Sequence, residues 1–327
     1  MKVSISVFIC IIVVLFGSVG SADEYGVFVK IMERAKGSFD EVSAKVERAL
    51  KEGGWEILTT YDTGTPEDSA FHSRVIIFTS PTYTASIMSY GVKAAFALPL
   101  RVGVYEDKTG INIALLNPVA TNRTMVHETR TKKPSLSTVE TISTAIAKAV
   151  EGTKVTKQMG EIRKAGKLEG FGNDDFRDKI VTIYWARRDT ESVYKRIVEN
   201  VKYGIQHNTK NWELVYTLDL PSYGTTIFGI GNADIERMAF SISREKKSNK
   251  FFKFPVLYHN TAFPIEVIVY KEGGRVKVVT LEETYRMKYY FEDAGFWVFI
   301  KYFRKPGHIQ DEIAEMVLDG MRRDIEQ

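Results

Sequence analysis

The chain has 327 residues, of which 44% are hydrophobic and 26% charged, and its formal net charge is +4. That length suits about two domains, and the composition is that of an ordinary folded protein rather than a disordered or fibrous one. Acidic and basic residues are interspersed, so a concentrated cationic footprint for nucleic acid is excluded.

The first twenty-two residues form a class of their own. Lys2 is the single charge before Asp23, Val3 to Phe16 is almost wholly apolar, and Gly17 to Ala22 is small and turn-prone. This is the pattern of a secretory signal cleaved after Ala22. The apolar run is ~14 residues, short of the ~20 that span a bilayer, and an uncleaved N-terminal anchor is the alternative. Cys10, the only cysteine, leaves with the signal. The mature chain then has no thiol nucleophile, disulfide, iron–sulfur cluster or thioether-bound haem. The expected location is periplasmic or extracellular.

Gly26 to Ile31 predicts a strand. Ser38-Phe39-Asp40-Glu41 predicts a capping box, followed by a helix with Phe39, Val42, Val46, Ala49 and Leu50 on one face. Gly53-Gly54 ends that helix. WEILTTYD (55–62) reads as a strand, Arg74 to Thr79 as another, and Tyr83 to Tyr90 as a helix. Leu100 to Glu106 and Ile111 to Leu116 predict a hairpin turned at Asp107 to Gly110. Ser135 to Val150 closes the block as a helix. Residues 151–177, rich in Gly, Lys and Glu, read as a linker.

The order then recurs. Lys179 to Trp185 predicts a strand, and Asp189 or Thr190 caps a helix bearing Val193, Ile197, Val201 and Ile205. WELVYTLD (212–219) repeats WEILTTYD without a gap. PIEVIVY (264–270) matches PLRVGVY (99–105), and a Pro-led amphipathic helix from Pro306 ends this block as one from Pro134 ends the first. Anchors kept in one order over about 150 residues indicate a duplicated domain rather than a solenoid. The expected fold is α+β: two tandem β-α-β-β-α-β-β-α copies, 23–150 and 178–327, related by a pseudo-twofold axis. Tyr285 to Phe303 stands out as an aromatic insertion confined to the second copy.

Four stretches together, SFDEVSAKVERALKEGGWEIL, IIFTSPTYTASIMS, LPLRVGVYED and ALLNP, resemble the domain of unknown function 302 (DUF302) family. The resemblance covers about residues 25–150 and extends more weakly over 178–327. It implies a compact α+β fold that is often dimeric, so a tandem copy would bury the same interface inside one chain as a pseudo-dimer. It implies no activity. Many members carry a Cys near the Ser80-Pro81 position, where this chain has Thr79-Ser80-Pro81, and a thiol-dependent role is not expected.

No zinc signature, Walker loop, nucleophile elbow or complete dinucleotide fingerprint is present, and no cofactor is expected. The candidate ligand-binding residues are those recurring in both copies, namely Asp62 and Asp219 at strand ends and Tyr105 and Tyr270 at others, together with Arg101 and Trp297. Asp62 and Asp219 either meet a ligand at the pseudo-twofold axis or cap the turns that follow them. Arg101 stands where the second copy has Glu266, which makes either an interdomain ion pair or an anion site. His72, close in sequence to Asp62, Glu67 and Asp68, is the alternative: a metal site with nitrogen and oxygen ligands. The 285–303 stretch packs under the last helix, lines an apolar pocket, or lies on a membrane surface. Two functions stay open: a non-enzymatic exported module binding a small or apolar ligand or a protein partner, and a metal-dependent enzyme using Asp62 or His72. Asn122-Arg123-Thr124 is a glycosylation sequon in a host that uses one.

Overall fold

The computed structural model of the protein describes residues 24–168, 170–171, 174–244, 256–295 and 305–326. The presumed signal at 1–22, Trp297 and residues 296–303 of the aromatic stretch lie outside them. The elements in chain order are β1 (Glu24–Ala35), α1 (Phe39–Glu52), β2 (Glu56–Asp62), β3 (Ser73–Thr79), α2 (Pro81–Met88), β4 (Leu100–Asp107), β5 (Gly110–Leu116), α3 (Pro118–Val126), α4 (Lys132–Ala149) and β6 (Thr153–Lys164). A two-residue pair, β7 (Gly170–Phe171) and β8 (Asp174–Asp175), leads to β9 (Ile180–Ala186), α5 (Glu191–His207), β10 (Glu213–Leu220), β11 (Thr225–Gly231) and α6 (Ala233–Arg244). β12 (Ile265–Glu272), β13 (Arg275–Leu281), α7 (Glu283–Phe291) and α8 (Lys305–Glu326) complete the chain.

The fold is α+β, with two principal antiparallel sheets ordered β2-β3-β4-β5-β1-β6 and β10-β11-β12-β13-β9. Local chemistry sets the element ends. Ser38 Oγ accepts from the Glu41 amide at 3.3 Å and the Glu41 carboxylate accepts from the Ser38 amide at 2.9 Å, closing the capping box of α1. Thr190 caps α5 through the Val193 amide. Gly273 and Gly274, with φ of +60° and +73°, turn β12 into β13, a conformation open to glycine at no steric cost.

α1 and α4 cover the outer face of the first sheet, and α5 and α8 cover the second. We call each sheet with its helices a lobe. The short 3₁₀ segments 92–97 and 257–262 each precede a cis X-Pro bond, Leu98-Pro99 and Phe263-Pro264. Each segment lies on the opposite lobe: 92–97 against β11 and β12, and 257–262 against β3, β4 and β5. The edge strands β2 and β10 also meet. One hydrophobic cluster runs through both lobes, from Phe28, Val46 and Val102 to Val201, Val267 and Tyr289.

Two expectations need correction. Residues 151–177 are not a bare linker, because 153–164 form β6, a twelve-residue strand paired antiparallel with β1. Its run of Lys, Gln, Glu and Arg suits a solvated edge strand, and that composition conceals it from a search for apolar alternation. Residues 283–291 are not an insertion either. α7 follows β13 as α3 follows β5, and the sequence reading omitted α3. Asn117 caps α3 by accepting from the Val119 amide at 3.0 Å, and Pro118 fills its first turn.

Candidate functional site

The recurrent carboxylates do not converge. Asp62 pairs in register with Arg74, which donates Nε to Oδ1 at 2.6 Å and Nη2 to Oδ2 at 3.0 Å, and Arg74 also reaches Asp40 of α1. Asp219 pairs in register with Thr226, whose hydroxyl donates to it at 2.8 Å and shares a contact with the Tyr194 hydroxyl of α5 at 2.7 Å. Both carboxylates therefore face the outer helix layers. They serve neither as turn caps nor as ligands on an axis between the lobes, because each stands opposite a cross-strand donor. His72 is exposed, and its Nδ1 meets Glu106 at 2.6 Å. Among the described residues no group of three His, Cys, Asp or Glu is placed to hold a metal ion.

Tyr105 and Tyr270 are buried at 2% exposure each, inside their sheets. Burial pushes the Tyr105 hydroxyl well above the usual phenol range, and burial pushes Tyr270 up to about 12. Both act as packing residues. Asn122 of the sequon is 2% exposed, accepts from Tyr83 and donates to Ser135, so the folded protein shields it.

Arg101 and Glu266 are brought together. They form a buried ion pair across the lobes, and Arg101 Nη1 also donates to the Thr261 carbonyl at 3.2 Å. The interdomain pair is the reading that holds. Around it lies a polar seam that sequence reasoning missed. The hydroxyls of Tyr61 on β2 and Tyr216 on β10 are buried without a hydrogen-bond partner among the described residues. Glu236, 2% exposed on α6, accepts from the Gly64 amide of the first lobe at 2.6 Å. Burial raises its carboxyl to about 7, against the lowering effect of the Gly64 amide. Asn260 donates to Ser73 Oγ at 3.1 Å and lies against the Cα of Gly103, where a Cβ would collide with it. Gly103 is thus a close-approach glycine.

The second lobe also holds a small apolar cleft with a cavity volume of about 30 Å³, partly open to solvent. Ile235, Met238, Phe263, Met287, Phe291 and Ile309 line it, at the meeting of α6, α7 and α8. Glu283 and Arg286 lie in its wall. Their ion pair is buried, with Arg286 Nε 2.9 Å from Glu283 Oε2, Nη1 donating to the Ala262 carbonyl and the guanidinium over Phe263 and Tyr290. Glu283 and Arg286 therefore satisfy each other, and Lys305 adds an exposed cation to the wall. The Glu283-x-x-Arg286 spacing, one helical turn apart, is the unused sequence signal from which the pair could be read. Beside the cleft, His259 meets Phe28 edge-on and lies tilted against Tyr258 and Phe291, and its Nε2 meets Asp293 at 3.0 Å.

No curated protein matches the chain. Among solved structures, it is similar to an uncharacterized conserved DUF302 protein from Bacillus stearothermophilus, at 15% identity, covering 39% of this chain and 99% of that one with a TM-score of 0.32. Residues 31–151, which carry β1 through α4 with the Arg101 side of the seam, match the family model described as Domain of unknown function DUF302.

Proposed function

We propose that the protein is an exported, non-enzymatic binding module built from two DUF302-like lobes that form a pseudo-dimer within one chain, and that it takes a small apolar ligand in the cleft between α6, α7 and α8. The carrying observation is the cleft itself. Its lining is mainly aliphatic and aromatic, the Glu283–Arg286 pair in its wall is internally satisfied, and Lys305 is exposed at its margin, so apolar surface dominates what it offers. The tandem reading is supported by the shared strand order of the two sheets and by the reciprocal seating of 92–97 and 257–262. The signal-like segment at 1–22 supports export.

Titration with the uncharged fluorophore N-phenyl-1-naphthylamine tests the ligand reading. Saturable enhancement at one site is expected, and Met238→Trp, which fills the cleft, weakens it about tenfold, or about 1.4 kcal/mol. Binding that Met238→Trp leaves untouched, or no saturable binding to the folded chain, rejects this function.

A further inference from the structure

We propose that the pocket between the 92–97 segment, the end of α3 and the end of β12 binds a small organic carboxylate, held by Lys93 and Arg177.

The pocket has a volume of about 260 Å³ and lies at the junction of the lobes. Tyr90, Lys93 and Ala94 form its first wall, and Met125 and Val126, the last residues of α3, form the second. Arg177, from the 3₁₀ segment 176–179 ahead of β9, and Glu272, at the end of β12, complete it.

The charge in this pocket is unbalanced. Glu272 is the one carboxylate among the described lining residues, and Lys277 already holds it at 2.6 Å. Lys93 is half-buried and has no hydrogen bond or ion pair among the described residues. Arg177 Nη2 donates to the Val126 carbonyl at 3.3 Å, a contact that leaves the guanidinium charge unneutralised. The carboxylates at the margin are taken. Glu128 accepts from Arg130 Nε at 3.2 Å, and Asp175 lies 3.4 Å from His127 and accepts from the Arg177 amide. Asp178 is exposed and lies outside the lining. Arg130, and after it Arg123 and Arg177, hold the Glu128 carboxyl below its usual range, as a positive field at this end of α3 requires.

The second lobe shows what a matching position takes. Tyr258 precedes Pro264 by the spacing at which Lys93 precedes Pro99, and residues 292 and 293 follow α7 as 127 and 128 follow α3. There the protein supplies its own carboxylates. Tyr258 donates its hydroxyl to Asp293, His259 Nε2 meets Asp293 at 3.0 Å, and Arg163 pairs with Glu292. In the first lobe His127 stands where the second has Glu292, and Glu128, in the place of Asp293, is bonded to Arg130. Lys93 and Arg177 keep the cationic half of the arrangement, and a carboxylate from solution completes it through charge-assisted hydrogen bonds. Tyr90, Met125 and Val126 add apolar wall, which suits an acid with a small hydrocarbon body.

The test titrates the full chain by calorimetry at low ionic strength, where screening of these charges is least. The probes are benzoate, neutral benzamide and inorganic phosphate. Benzoate is expected to bind saturably at one site, and benzamide about tenfold more weakly or not at all. Lys93→Ala and Arg177→Ala should each weaken benzoate about tenfold with unchanged circular dichroism, and Lys93→Arg should hold it within about threefold. Lys36→Ala, an exposed cation on the far side of α1, should change nothing. Absence of benzoate binding to the folded chain overturns the proposal. So does benzoate binding that both alanine variants leave unchanged, or binding of phosphate in place of benzoate.

Discussion

The two lobes share a strand order and differ in what they surround. In the first, β6 covers β1, and the strand it covers is among the most buried in the protein. In the second, the matching β9 is half-open, and an apolar cleft lies between α6, α7 and α8. The contrast teaches that one topology supports two different surfaces when the segments flanking it change. Covering an edge with a charged strand yields a closed scaffold. Where the matching strand pairs on one side only among the described residues, and the neighbouring helices are rich in Phe, Tyr and Met, the lobe offers apolar contact surface.

What couples the lobes can be broken in graded steps. The largest effect is expected at the Arg101–Glu266 pair. Arg101→Ala strands a carboxylate that is 8% exposed, and the expected loss is about 3–5 kcal/mol in urea unfolding. The double variant Arg101→Met with Glu266→Leu should recover most of it, because two apolar groups remove both desolvation costs. Equal loss in the single and double variants would show that the lobes do not depend on this pair as a pair.

The next effect is a pH dependence centred on Glu236. Its folded-state carboxyl is raised from 4.5 to about 7, so the folded state holds the proton more tightly than the unfolded chain does. That contribution is complete below pH 4.5 and is lost as pH rises through about 7. Linkage converts the difference to about 3 kcal/mol of stability lost by pH 8. Glu236→Gln should flatten the profile between pH 5 and 8 while keeping an acceptor for the Gly64 amide. An unaltered profile would place the titrating group elsewhere.

The smallest effect is expected at Asp62, away from the seam. Its side chain is 64% exposed, and exposed pairs contribute about 0–1 kcal/mol. Asp62→Asn should therefore shift unfolding by less than about 1 kcal/mol, and a larger loss would assign Asp62 a role beyond its cross-strand pair with Arg74.

Much of this fold is legible in the sequence because its signals are local. The Ser38 capping box, the Gly110 and Gly273-Gly274 turns and the alternating strands on either side of them each depend on residues within a few positions. The pairing of Arg101 with Glu266 was legible for a different reason: the repeat places opposite charges at matching positions. The strand β6 was not legible, since a solvated edge strand lacks the apolar period that marks a half-buried one. Nor were Glu236 and Asn260, ordinary residues that acquire meaning only when Gly64, Ser73 and Gly103 arrive from more than a hundred residues away.

Taken alone, the amino-acid order determined the type and ends of the locally marked elements, such as α1 and the β4–β5 hairpin, because those follow from nearest-neighbour backbone and side-chain preferences. Only tertiary structure decided that Asp62 and Asp219 face outward, that a carboxylate on α6 is buried against the other lobe, and that β9 stays half-buried where β1 is buried. Each of these turns on which surfaces lose water when the lobes close, and desolvation is a property of the assembled molecule rather than of any segment.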